Sequence, residues 1–357
     1  MARGATSRRR PSTSVDPRSL SRVLLRLPNW LGDVCFVAPS VAALHRAAPG
    51  ATLVAACREN LAPLAARLPG VAETVALAER GGLRAPLAAA RAIRAAACDA
   101  AIVFPRSLRA ALSVAVARIP VRIGFASDAR TALLTHPVRG WRPLRLAHRS
   151  AYFGSLLGPL GLDAPTEPWT FAPPVEALAW ADAFLAAAPG RRPRLPLVAF
   201  EPAGAYGVAK RWPEDRYAAL AGRLVREGLA DVVIVGTAAM RPVEERIAKA
   251  ADAPVTRAAG ATDLVQLSAL LARARLLVTN DTGPMHLAAA VGTPLLALFG
   301  STDPVVCGPR GRAPTKVLYE KVECSPCYLE ECPVPGHPCL DRFSVDRVFD
   351  ATKAMLA

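Results

Sequence analysis

Asn280-Asp281-Thr282-Gly283 set an amide, a carboxylate, a hydroxyl and a glycine side by side, and Pro284-Met285-His286 follow at once. Before them, Leu276-Leu277-Val278-Thr279 is the continuous apolar, partly β-branched run of a strand covered on both faces. Pro284 suits a first helical position, where its missing N–H is not needed. Gly292 can close the helix in a left-handed conformation, and a further strand runs from Pro294 to Phe299. A buried strand therefore opens through a polar turn into a helix. The free N–H groups around Thr282 to Met285 favour an anion, and phosphate is the natural guest. An ordinary turn capped by Asp281 is the other reading of this segment.

Two more clusters have the same strand-to-helix setting. In Leu27-Pro28-Asn29-Trp30-Leu31-Gly32-Asp33, a flexible glycine presents one carboxylate at a helix start. Asp33 is there either a general base or simply a favourable charge on a helix N-terminus. In Glu201 to Pro213, a loop of glycines and alanines brings backbone close to a ligand, and Lys210 can neutralise phosphate charge. A solvated Lys210-Arg211 pair is the alternative. No G-x-x-x-x-G-K-[ST] loop, G-x-G-x-x-G turn, H-E-x-x-H or D-x-D pair occurs, so cations and helix ends stand where clustered carboxylates would hold a metal on a diphosphate.

These clusters must be carried by a framework, and the alternation of patterns supplies it. Strands are predicted at Val23–Leu27, Thr52–Cys57, Thr74–Leu77, Ala100–Phe104 and Arg122–Phe125, with helical patterns such as Leu83–Ala97 and Ser107–Ala117 between them. After a proline-rich stretch (Asp163 to Pro174), a helix (Val175–Ala188) and a second break, strands return at Leu197–Glu201, Val232–Val235, Val255–Ala258, Leu276–Thr279 and Leu295–Phe299. The fold class is α/β: two doubly wound, Rossmann-like domains whose carboxyl strand ends face a central cleft. The expected boundaries are a disordered basic start (1–21), a first domain (22–172), a linker with a helix (173–195), a second domain (196–343) and a terminal helix (344–357) that packs back on the first domain. A chain of 357 residues suits two domains of about 150 residues each.

The net charge is +15, from 44 Lys and Arg against 29 Asp and Glu, which favours polyanionic partners: nucleic acid, an anionic lipid surface or a phosphorylated substrate. Only Arg8-Arg9-Arg10 form a run. Aromatic content of 6%, with no basic recognition helix, counts against nucleic acid. No signal peptide and no membrane span are legible, so the reading is a cytoplasmic protein held at an anionic membrane surface by charge. Cys324, Cys327, Cys332 and Cys339 lie within 16 residues, spaced C-x2-C-x4-C-x6-C, with His337 among them. Four thiolates can surround zinc. The missing second C-x2-C knuckle favours a proline-stiffened loop with free thiols.

Taken together, LPNWLGDVCFVAPSVAALHRAAPG, EPAGAYGVAKRWPEDRYAALAGRL and VTNDTGPMHLAAAVGTPLLALFGSTDP resemble glycosyltransferase family 9, the lipopolysaccharide heptosyltransferases, in consistent order over roughly Val23 to Ala357. The resemblance implies a GT-B enzyme, inverting, with no cofactor and no required metal. It implies ADP-heptose as donor and a Kdo- and heptose-bearing lipid A core as acceptor. A related transferase with another sugar or core position is the rival, and a sugar-nucleotide epimerase a more distant one. By resemblance Asp33 is the catalytic base and Lys210 stabilises the departing ADP. Ala205, Tyr206, Gly207 and Lys210, with Asp281, Thr282, Gly283, Pro284, Met285 and His286, line the donor site. His286 is as well suited to packing against the turn as to touching ligand. Glu244 or Glu245 would grip the ribose. Arg58, Arg106 and Arg109 would meet acceptor carboxylates and phosphates. Relatives often carry a hydroxyl or Lys where this chain has Ala205 and Arg109.

Overall fold

The computed structural model describes residues 14–78, 85–127, 129–204 and 207–357; Arg8, Arg9, Arg10, Leu83, Arg84, Ala205 and Tyr206 lie outside them. In the first half, β1 (Arg22–Arg26), β2 (Thr52–Arg58), β3 (Val71–Leu77), β4 (Ala100–Val103), β5 (Val121–Phe125) and β6 (His136–Val138) form one parallel sheet in the order β3-β2-β1-β4-β5-β6. In the second, β7 (Leu197–Glu201), β8 (Asp231–Ile234), β9 (Val255–Arg257), β10 (Leu276–Asn280), β11 (Leu295–Phe299) and β12 (Thr315–Tyr319) repeat the winding as β12-β11-β10-β7-β8-β9. Strand order reverses between β1 and β4 and again between β7 and β10. Doubly wound sheets bind ligands outside the carboxyl strand ends at such reversals. Asp33 follows β1, Lys210 follows β7 and Asp281 follows β10, so all three clusters leave strands that border a reversal.

The helices covering the first sheet are α1 (Leu31–Ala47), α2 (Ala62–Ala65), α3 (Ala85–Ala95), α4 (Leu108–Val116) and α5 (Arg149–Gly154). Then come α6 (Val175–Ala186), α7 (Glu214–Arg226), α8 (Arg241–Ala251), α9 (Leu264–Arg273), α10 (Gly283–Val291), the short α11 (Pro304–Cys307) and α12 (Pro338–Asp341), and α13 (Val345–Leu356). Every residue of β7, β8, β10 and β11 is buried, as strands between two helical layers must be. Gly292 ends α10 at φ 86°, the left-handed closure its sequence predicts. One apolar core runs through both halves, joining Val34 and Val37 of α1 to Met285 and Leu287 of α10.

The start of α1 and the start of α10 touch across the cleft. A Cβ on Gly32 would lie 2.9 Å from the His286 ring, and one on Gly283 would lie 2.8 Å from Leu31 Cβ. Glycine at both places lets two helix N-termini approach until backbone meets side chain.

Several expectations need correction. Residues 14–21 are ordered: Asp16 caps the turn Pro17–Ser19 through the Arg18 N–H at 2.9 Å, the Val15 N–H donates to Pro159 O at 2.9 Å, and Leu20 is buried. The terminal helix α13 packs on α7 and β10 of the second domain and not on the first, because Val348, Phe349 and Ala351 complete the second core. Pro284 is the second residue of α10, since Gly283 opens it. Both sixth strands, β6 and β12, escaped the pattern search. They lie at sheet edges, and their side chains are mostly half-buried or exposed, so they lack the apolar run of their neighbours.

Candidate active site

Asp33 sits in the first turn of α1, where the helix N-terminus favours its charge. It is half-buried, with protein around its carboxyl. Burial pushes its pKa above the usual carboxylate value; Arg149 and Lys210 pull it down, and Asp281 pushes it further up. Asp33 belongs to the first domain, and Lys210 and Asp281 to the second. The carboxylate and the ammonium thus share one crevice, within electrostatic reach of each other.

Lys210 Nζ lies 2.7 Å from Asp281 Oδ2, a nearly buried ion pair. The Thr302 hydroxyl donates to the same oxygen at 2.8 Å, and Cys307 Sγ lies 3.7 Å from it. Thr282 caps α10 with extended backbone and makes no side-chain capping bond, its hydroxyl lying 3.3 Å from Thr279 Oγ1, so the first-turn N–H groups are left for another acceptor. Asn280 ties the loop carrying Lys210 to the turn carrying Asp281. Its Oδ1 accepts from the Trp212 N–H at 3.0 Å and the Tyr217 hydroxyl at 3.2 Å, while its Nδ2 donates to Pro202 O and Ala203 O at 2.9 and 3.0 Å. Gly207, at φ 155°, admits no side chain: a Cβ there would fall 2.2 Å from Glu330 O. Ala205 and Tyr206 lie outside the described residues.

His286 packs across the cleft, its ring 4.3 Å from that of Phe36. Burial lowers its pKa to about 4, which favours the neutral imidazole.

Glu201, at the carboxyl end of β7 beneath the donor turn, was missed by the sequence reading. It is buried, and its Oε2 has no hydrogen-bond partner. Burial raises its pKa to about 7, against the lowering influence of Thr282, Arg211 and the Ala203 backbone. A carboxyl whose folded value is raised contributes stability fully below its ordinary value of 4.5, and that contribution is lost as pH rises through about 7. Glu201→Gln should therefore flatten the stability profile across this window, gaining on the order of 3 kcal/mol over wild type at pH 8. Urea unfolding at pH 5 and pH 8 checks this, and parallel profiles for the two proteins would refute it.

In the first domain, the Arg58 guanidinium stands 5.9 Å from the ring of half-exposed Trp30, and Arg106 stands 5.2 Å from that of Trp141. Arg109 is exposed on the first turn of α4, further out than the other two. Two further cations of this domain were not singled out from the sequence. Arg149 begins α5 and acts electrostatically on Asp33. Arg26, whose pKa burial lowers to about 10, is near Arg58 and within 3.5 Å of Asn29 Oδ1. The two ribose candidates separate: Glu244 is buried and accepts from the Ala259 N–H at 2.8 Å, with Arg257 Nε at 3.4 Å, whereas Glu245 faces solvent.

The four clustered cysteines are free thiols lining one cavity. Burial, then the neighbouring Cys332, Cys324 and Cys327, raise the Cys339 pKa to about 11.

The profile of glycosyltransferase family 9 (heptosyltransferase) matches residues 87–337. The chain belongs to this family. It is 31% identical over 300 residues to the lipooligosaccharide heptosyltransferase 2 of Haemophilus influenzae, covering 79% of this chain and 84% of that one. It is 30% identical to the lipopolysaccharide heptosyltransferase 2 of Salmonella typhimurium over the same shares. The structure of the ADP-heptose LPS heptosyltransferase II of E. coli matches with a TM-score of 0.77 at 24% identity, over 94% of this chain and 98% of that one. A family 9 glycosyltransferase from Veillonella parvula matches with a TM-score of 0.82 at 23% identity, over 97% and 99%. These two likenesses establish the fold, and the sequence relatives agree with the resemblance seen in the NWLGD and AKRWP segments.

Proposed function

We propose that this family 9 enzyme transfers heptose from ADP-heptose to a Kdo- and heptose-bearing lipid A core, with inversion. What carries the reading is the crevice in which Asp33 of one domain faces Lys210 and the α10 N-terminus of the other. The acceptor hydroxyl loses its proton to Asp33 as its oxygen bonds to the anomeric carbon, and the bond from that carbon to the β-phosphate oxygen breaks. ADP leaves with the electron pair. Lys210 and the N–H groups of Thr282 to Met285 meet the charge it gains, while Asp281 exchanges its ion pair for donor hydroxyls. Glu244, rather than Glu245, serves the ribose through the oxygen that only a long Arg257 contact occupies. Arg58, Arg106 and Arg149 meet the acceptor's carboxylates and phosphates, and Arg109 acts only at the outer rim.

The membrane side of the reading has a physical basis too. Among the described residues no helix is long and apolar enough to cross a membrane. A net charge of +15 draws the protein to an anionic surface, as a lipid-borne acceptor requires. Its site of action is then the cytoplasmic face of the inner membrane.

The direct test supplies purified protein with ADP-heptose and truncated acceptors carrying zero, one or two heptoses. Product is expected chiefly from the one-heptose acceptor, and turnover should proceed with EDTA present and no added magnesium. Product only with another sugar nucleotide would move the protein to a sister activity within the family. ADP release without any acceptor dependence would remove the transferase reading.

A further inference from the structure

The segment from Cys324 to Cys339 plays no part in the transfer just described, yet it is fastened to the loop that carries Lys210. The Ala209 N–H donates to Glu330 O at 3.0 Å, and His337 Nε2 lies 2.9 Å from Ala209 O. Both backbone polar groups of the residue before Lys210 are thus satisfied from this one segment. Its other side grips the strand end behind Asp281: the Tyr328 N–H donates to Ser301 O at 2.8 Å, and the Ser325 hydroxyl donates to Gly300 O.

What holds the segment itself is not apparent from apolar packing. Between Tyr319 and Pro338 it contains no helix or strand, a long irregular stretch for a compact domain. Its larger apolar side chains are only partly covered, with Tyr328 43%, Leu329 45% and Val334 38% exposed. Four cysteines line one cavity, with Ala209 and His337 in its wall beside Leu329 and Val334. Small irregular segments without a core of their own are commonly held by a disulfide or a metal, and these thiols are unpaired.

We propose that Cys324, Cys327, Cys332 and Cys339 are the four ligands of one thiophilic divalent cation of the zinc class, and that loading it fixes the loop bearing Lys210. The four cysteines line one cavity, yet among the described residues no three His, Cys, Asp or Glu groups are already gathered to hold an ion. Neutral thiols do not attract one another. Binding requires the side chains to turn inward as four thiols release four protons to solvent and four S–metal bonds form. Cys332 Sγ, 3.5 Å from Val334 O, gives up only a weak contact in doing so. His337 stays on Ala209 as the strut that transmits the loop's rigidity.

The test is metal analysis of the full-length protein purified under reducing conditions without chelator, with cobalt(II) titration of protein stripped of metal. One ion per chain, thiolate-to-cobalt charge-transfer bands, and loss of both in C324S/C327S are expected. Stripping the wild type should speed hydrogen exchange at residues 207–212 by about tenfold, as the Ala209 bonds loosen. Absence of the bands in reduced wild-type protein overturns the site, as does an ion retained by the double variant or a native pair of disulfides found by mass spectrometry. Unchanged exchange at 207–212 on stripping overturns the link to Lys210. If the double variant does not fold, the wild-type cobalt titration decides alone. The proposal rests on the reading of Lys210 as a phosphate ligand only for its significance; no measurement here uses a sugar nucleotide, so its failure is distinct from failure of the transfer.

Discussion

Asp33→Asn is expected to lower kcat by about 10³-fold or more while ADP binds within a few-fold of wild type, since positioned proton transfer contributes roughly 10² to 10⁴. The amide keeps the size and helix-start position of the carboxylate and removes only its basicity. Lys210 and Asp281, which hold the donor side, are untouched. Because burial lifts the Asp33 pKa, the rise of kcat/KM with pH should have its midpoint above the ordinary carboxylate range. The same replacement isolates the alternative. If Asp33 were only a charge favouring the start of α1, the Asn variant would lose less than about 1 kcal/mol of stability and keep its turnover. Steady-state rates with ADP binding by calorimetry separate the two, and full retained activity excludes Asp33 from the chemistry.

Lys210→Ala should reduce kcat/KM by about 10³-fold, with donor KM rising and kcat falling together. Two effects add. The departing diphosphate loses a cation, and Asp281, only 6% exposed at its side chain, is left as an unpaired carboxylate beside it. Removing one partner of a buried pair typically costs about 3 to 5 kcal/mol, chiefly from the charge left behind. The double variant Lys210→Ala with Asp281→Asn separates the contributions, because it restores much of the stability but neither the donor affinity nor the turnover. A Lys210→Ala enzyme with unchanged KM and kcat would leave Lys210 with only its ion pair.

The catalytic framework was legible because the features that build it are local. Leu276 to Gly292 display a buried strand, a polar turn and a helix closed by glycine, and the structure reproduces each. The edge strands at His136 and Thr315 were not legible, since a strand half open to solvent loses the apolar run that announces it. Asp33, Lys210 and Asp281 stood out as charged residues beside small ones at strand-to-helix turns. Glu201 and Asn280 did not. A carboxyl at the end of an apolar strand gives no sign that it is buried unpaired, and an asparagine in a turn reads as turn chemistry until its four contacts are seen. Arg149 enters the crevice by tertiary placement alone, from a stretch with no periodicity. The C-terminal helix was legible as a helix, but which core its apolar residues complete depends on distances no sequence pattern carries.

The mutual seating of Gly32 on His286 and Gly283 on Leu31 makes the spacing between the two helix starts a packing distance. Gly32→Ala would set a methyl 2.9 Å from the His286 ring, and Gly283→Ala would set one 2.8 Å from Leu31 Cβ, so either substitution would force apart the segments that carry Asp33 and the Thr282 turn while leaving both residues unchanged.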